Sequence, residues 1–233
     1  MEDLKNRLII AIDGPAASGK SSAGLLLAKR LGVLFFDTGI MYRVITLAAI
    51  RKGINIYDEQ SIGKLVQTTH IEIRKPTVCD GRINDVLMNG EDVTRFIRDQ
   101  EINLHVSKIS SYKSVRDSLT AQQREIAVRN ELVMAGRDIG TVVLPDAAFK
   151  FYLDASTRVR ANRRYKDAGE IKNSKKIDEI EASIIKRDQI DSSRQIAPLR
   201  PAPDAIIINT DEMTLEQVVD EMLEIINGQN NCD

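Results

Sequence analysis

The sequence predicts an α/β fold in which a central parallel sheet forms the middle of three layers. Three observations carry this expectation. An apolar run, Leu8-Ile9-Ile10-Ala11-Ile12-Asp13, breaks at Gly14 into a loop of small residues, and residues 23–31 then take helical spacing. A short apolar stretch ending in polar residues recurs at 33–36 before Asp37-Thr38-Gly39, and at 131–135 before Gly136-Arg137-Asp138. Apolar strands alternating with helical segments are the pattern of a sheet covered on both faces.

The first loop, Gly14-Pro15-Ala16-Ala17-Ser18-Gly19-Lys20-Ser21, satisfies G-x-x-x-x-G-K-[ST] at every fixed position. A polyphosphate needs several backbone N–H groups aimed at one place, and a chain can turn them inward only where side chains are absent or small. The helix that follows presents its positive end to the same point. Lys20 is expected to reach the β and γ oxygens as a point charge, and the Ser21 hydroxyl to bind the Mg²⁺ that accompanies a nucleotide. The motif therefore predicts a P-loop.

Along the rest of the chain, residues 41–52 read as a helix stopped by Gly53, with Tyr42 and Arg43 in its first turn, and 58–69 as another. Residues 70–93 change character: Ile71 and Ile73 alternate with Glu72 and Arg74, and Asp80-Gly81 and Asn89-Gly90 are turn signals. A small antiparallel sheet inserted into the parallel fold is expected there. Helical spacing returns at 94–111 and 114–129, a strand at 149–153, and a helix that Asp154 or Ser156 would cap. Arg158, Arg160, Arg163 and Arg164 crowd that helix, and the polar stretch 166–176 predicts a mobile flap before a second helix at 177–191. Residues 205–209 predict a further buried strand, and Thr214 a cap for a final amphipathic helix ending near Asn227-Gly228. One domain, 1–233, is expected, with subregions at 40–113 and 156–190.

At 233 residues the chain can bury one sizeable core with embellishments. A net charge of -1 argues against a broad nucleic-acid or membrane surface, so any basic patch must be local. Two cysteines, Cys79 and Cys232, provide neither a disulfide framework nor a zinc site, and His70 and His105 stand alone. The acidic start and the lack of a long apolar run predict a cytoplasmic chain that enters no membrane.

A P-loop alone says nucleotide. A GTPase switch would carry N-K-x-D, which is missing, and a motor ATPase would carry an acidic pair where this chain has Arg137-Asp138. Transfer between two phosphates gathers many anionic oxygens, and the arginines Arg43, Arg116, Arg137, Arg187 and Arg194 come from separate segments that could converge on them. An acceptor phosphate is already a nucleophile, so no general base is required.

These residues resemble the bacterial cytidylate kinases, a branch of the nucleoside monophosphate kinases. The similarity runs through Gly14 to Ser22, Asp37-Thr38-Gly39-Ile40-Met41-Tyr42-Arg43, Asn89-Gly90-Glu91-Asp92-Val93-Thr94, Val115-Arg116, Ala135-Gly136-Arg137-Asp138-Ile139-Gly140-Thr141, and Arg187 through Asp191 to Arg194. The resemblance implies transfer of the ATP γ-phosphoryl group to CMP and dCMP with Mg²⁺; a monomer is expected. It also implies that Gly14, Pro15, Ala16, Ala17, Ser18, Gly19, Lys20, Ser21 and Ser22 hold ATP. Arg160 and Arg163 would face its phosphates from a lid within 156–190, and Arg163 would join Lys20, Arg137 and Arg194 in catalysis. Arg43, Arg137 and Arg194 would hold the acceptor phosphate, with Thr38 alongside; Ser107, Arg116 and Asp138 would read cytosine; Arg187 and Asp191 would face the sugar. Residues 70–94 would lie in an enlarged CMP-binding insert within 40–113. A kinase for another small acceptor and a non-catalytic nucleotide-binding module are the alternatives.

Overall fold

A computed structural model describes residues 7–74, 76–167 and 174–230. The chain forms two compact units, Met1–Asp37 with Arg124–Asp233, and Thr38–Gln123.

The first unit is built on a five-stranded parallel sheet in the order β2-β6-β1-β7-β8. The strands are β1 (Ile9–Asp13), β2 (Leu34–Asp37), β6 (Leu132–Ala135), β7 (Phe149–Asp154) and β8 (Ile206–Asn209). Every residue of β1 and β6 is buried, so both faces of the sheet centre are covered, as the unbroken apolar runs predicted. Helix α1 (Lys20–Leu31) packs against β1, β2, β6 and the final helix α8 (Leu215–Asn230). Gly24 lets α1 approach closely, since a Cβ there would stand 2.6 Å from the Phe35 ring. Helix α8 begins with a capping box: Thr214 Oγ1 accepts from Gln217 N at 3.2 Å, and Thr214 N donates to Gln217 Oε1 at 2.8 Å.

One strand departs from expectation. The run Ala205–Asn209 reads as buried, but among the described residues β8 pairs only with β7, and Ile207 is 59% exposed. Its isoleucines are those of an edge strand with one covered face.

Helix α6 (Thr157–Asp167) opens with Ser156, whose hydroxyl accepts from Val159 N at 3.4 Å, and packs on α7 (Ser174–Ser193). Thr157 to Glu181, and Arg158 to both Asp178 and Glu181, tie the pair together. Of the flap expected at 166–176, residues 168–173 lie outside the described residues.

The second unit contains α2 (Gly39–Arg51), α3 (Glu59–Gln67), α4 (Gln100–Ile109), most of α5 (Lys113–Arg129) and a three-stranded antiparallel sheet. Strands β3 (Ile71–Arg74), β4 (Asp85–Met88) and β5 (Glu91–Asp92) occupy the stretch whose alternation predicted them. Asn89 and Gly90 join β4 to β5 with φ of 52° and 87°, both left-handed, which is the two-residue turn that Asn-Gly favours. The sheet is small and is pinned by charge: Arg82 bonds Asp80, Asp85 and Asp92 at 2.7–2.9 Å. Among the described residues no helix is long and apolar enough to cross a membrane.

Candidate active site

In an open parallel sheet, ligands gather beyond the C-terminal strand ends, where neighbouring connections run in opposite directions. Here β1 lies between β6 and β7, so the loop after β1 meets the segment after β6 at that edge.

The loop after β1 needs its glycines. Gly14 has φ 147°, and a Cβ on it would come within 2.2 Å of the Leu153 carbonyl; Gly19, at φ 96°, turns the chain into α1. Ala17 takes φ 59° without that freedom. Lys20 opens α1, is 6% exposed, and donates from Nζ to the Pro15 carbonyl at 2.5 Å and to Ser18 Oγ at 3.2 Å. Burial holds its pKa well below the ordinary lysine value, and the Arg137 and Arg187 guanidinium groups push the same way. Ser21 donates to Asp37 Oδ2 at 2.5 Å, bringing a hydroxyl and a carboxylate together at the start of α1.

Asp13, the last residue of β1, is 3% exposed and accepts from Ile139 N at 2.8 Å and Gly140 N at 2.7 Å. It anchors a π-helical turn, Ile139–Val143, directly after Arg137-Asp138. Burial pushes its pKa up to about 6; the two N–H donors oppose the rise and the Asp138 charge adds to it.

Beyond β6, four predicted acceptor residues meet. Arg137 Nε donates to Asp191 Oδ2 at 3.0 Å. Arg194 lies 3.5 Å from Asp138 Oδ1 and 3.8 Å from Asp191 Oδ1, and its Nε is held by the Ala197 carbonyl. Asp138, Asp191 and Arg194 side chains are 5–6% exposed, and Arg137 is 20% exposed. Two guanidinium groups thus lie among two carboxylates, a set that can hold a phosphate and an amino-bearing ring together. Arg187 is carried by α7, the helix that also bears Asp191.

Thr38, Arg43, Ser107 and Arg116 belong to the second unit. There Arg43 donates to the Ile97 carbonyl at 3.0 Å, and Arg116, 3% exposed, donates to the Ser110 carbonyl at 3.0 Å with its guanidinium 5.5 Å from the Tyr42 ring centre. Ser107 is on α4, and Thr38 immediately precedes α2.

The two arginines expected to face the ATP phosphates are held by protein groups. Arg160 is 4% exposed and donates to the Ala155 carbonyl, the carbonyl of the P-loop residue Ala16, and Asp188. Arg163 is bound to the hydroxyl and carbonyl of Thr210, just after β8. Both arginines have protein acceptors that bind their guanidinium groups. Asp13 and Asp188 join this candidate site although the sequence gives neither a role there, and Asp37, read from sequence only as a polar strand end, bonds Ser21. Asp13 is detectable as the acidic residue closing an apolar strand; Asp188 gives no such signal.

Among the described residues no group of three or more His, Cys, Asp or Glu side chains is placed to hold a metal ion. Ser21 and Asp37 offer two hard oxygen donors, which fits Mg²⁺ held chiefly by phosphate oxygens and water.

The cytidylate kinase family model matches residues 10–228. A cytidylate kinase of Geobacillus sp. (strain WCH70) is 43% identical over 96% of this chain and 98% of its own length. Another, from Chloroflexus aggregans, is 45% identical over 88% of this chain and 87% of its own length. A crystal structure of an uncharacterized protein from Eubacterium ventriosum shares the fold at TM-score 0.52 and 11% identity, covering 95% of this chain and 99% of its own. With the strand-end loop, the Arg137–Asp191 pair and a family match along nearly its whole length, the chain belongs to the cytidylate kinase family.

Proposed function

We propose that this chain is an ATP-dependent nucleoside monophosphate kinase that transfers the γ-phosphoryl group of ATP to CMP, and to dCMP, giving the diphosphate and ADP. The observation that carries the reading is the cluster beyond β6, where Arg137 bonds Asp191 at 3.0 Å and Arg194 lies 3.5 Å from Asp138, in a chain whose β1 ends in a phosphate-binding loop.

The loop amides from Gly14 to Ser22 cradle the donor phosphates, and Lys20 leaves its internal acceptors to neutralise the charge that builds on them. Arg137 and Arg194 orient the acceptor phosphate in line with the γ-phosphorus. That phosphate attacks as an anion, so no residue need remove a proton. Asp138 accepts from the exocyclic amino group of cytosine and repels the carbonyl that uracil has there. Asp191 and Arg187 face the sugar. Ser21 and Asp37 would hold the Mg²⁺ that accompanies ATP, and when bound the ion supplies charge neutralisation at the transferring phosphoryl group. Sparse cysteine accords with action in a reducing cytoplasm, and the near-neutral net charge with small substrates rather than a nucleic-acid surface.

The test is a panel of acceptors assayed for ADP release: CMP, dCMP, UMP, AMP, GMP and shikimate, with wild type and Lys20→Ala. The reading expects turnover with CMP and dCMP, and loss of turnover in a folded Lys20→Ala variant. Nucleotide binding without turnover of any acceptor would overturn it.

A further inference from the structure

Ala16, inside the P-loop, is gripped by both of its backbone polar atoms. Its N–H donates to Asp188 Oδ1 at 3.2 Å, and its carbonyl accepts from Arg160 Nη1 at 2.9 Å. The same Nη1 donates to Asp188 Oδ2 at 2.6 Å, which closes the ring. Arg160 is fixed further by Nε on the Ala155 carbonyl at 2.9 Å. The adjacent residue, Ala17, is left-handed at φ 59°, a conformation that an alanine keeps only where its surroundings impose it.

A carboxylate against a phosphate-binding loop is an electrostatic liability unless its charge is cancelled. The buried Arg160 cancels it, the two side chains being 5% and 18% exposed. Bracing α6 on α7 does not require this arrangement, because Thr157, Arg158, Asp178 and Glu181 already join those helices. Asp188 also sits three residues before Asp191, which holds Arg137. One helix therefore contacts the donor loop with one carboxylate and the acceptor arginine with the next.

We propose that Asp188 is a positioning residue for the nucleotide. With its charge neutralised by Arg160, it fixes the Ala16 peptide and so sets the P-loop amides for a triphosphate. The inference rests on the reading of this loop as the ATP site.

The test is calorimetric titration of magnesium with a non-hydrolysable ATP analogue into wild type, Asp188→Ala, Asp188→Asn, Arg160→Ala and the Arg160→Ala/Asp188→Ala double variant, with a melting curve for each. Asp188→Ala is expected to weaken binding about tenfold, the worth of a hydrogen bond to a charged group. Asp188→Asn keeps an acceptor for the Ala16 N–H and should stay within about threefold of wild type. Arg160→Ala leaves the carboxylate uncancelled, so it should bind more weakly than the double variant. Lowered melting temperatures with unchanged affinities, or Asp188→Asn as weak as Asp188→Ala, would overturn the proposal. If Arg160→Ala does not fold, the two Asp188 variants decide. Because the readout is binding without an acceptor, it fails or holds independently of CMP turnover.

Discussion

Ser21 and Asp37 share a 2.5 Å hydrogen bond that joins the first turn of α1 to the end of β2. The pair matches what a nucleotide-borne Mg²⁺ requires, a neutral and an anionic oxygen side by side. Ser21→Ala should raise the Mg²⁺ concentration for half-maximal ADP release, with the fold intact by circular dichroism. Asp37→Asn should raise it further, because a charged ligand is lost rather than a neutral one. An unchanged Mg²⁺ curve in both variants would remove Asp37 from the site.

Arg137 and Arg194 are ranked against a control. Loss of a charge-stabilising arginine in phosphoryl transfer costs on the order of 10³ to 10⁵ in rate. Arg137→Ala and Arg194→Ala should fall in kcat on this scale, whereas Arg200→Ala, exposed at the surface, should not move. Equal small effects from all three would contradict the assignment.

Base choice is placed on Asp138. One good polar pairing discriminates by roughly 1 to 3 kcal/mol, or about five- to 150-fold. Asp138→Asn should narrow the CMP over UMP ratio of kcat/KM by that factor. A wild-type ratio would leave Asp138 only the role of partner to Arg194.

Asp13 gives a pH signature. Its folded pKa, about 6, stands above the unfolded value of 3.8, so the native state holds its proton more tightly. Its contribution is therefore most favourable below the unfolded value and is lost as pH rises through about 6. Asp13→Asn removes this term but leaves one of the Ile139 and Gly140 N–H groups without an acceptor, a cost that does not vary with pH. In denaturant titrations, wild type should lose about 2 kcal/mol relative to Asp13→Asn between about pH 4 and about pH 7. A stability difference that is flat with pH would show that Asp13 is not shifted.

The P-loop and the antiparallel insert are legible in the sequence because their signals are local: fixed spacing from Gly14 to Ser21, and alternation closed by Asn89-Gly90. The cap residues Ser156 and Thr214 are legible for the same reason. Arg137 and Asp191 meet across 54 positions of sequence, and no local pattern announces that pairing; family resemblance places both at the site without predicting their bond. The burial of Arg160 is hidden because a helix crowded with arginines looks like a solvated or lid-forming face, while its partner Asp188 lies 28 residues further on. The edge position of β8 is hidden because an Ile-rich run is the same whether one neighbour or two will pair with it.

The strand order also governs how the chain reaches its native state. β1 is made first, yet its partners are β6 and β7: Ile9 must await Leu132, and Ile10 must await Phe149. Bringing such distant segments together is slow, since chain entropy is lost before any contact compensates for it. Residues Thr38–Gln123 emerge in between as one continuous stretch with short-range pairings, and so can fold ahead of the sheet. Until β6 arrives, the apolar segments Ile9–Asp13 and Leu34–Asp37 lack the strand both pair with, which leaves them open to misassembly.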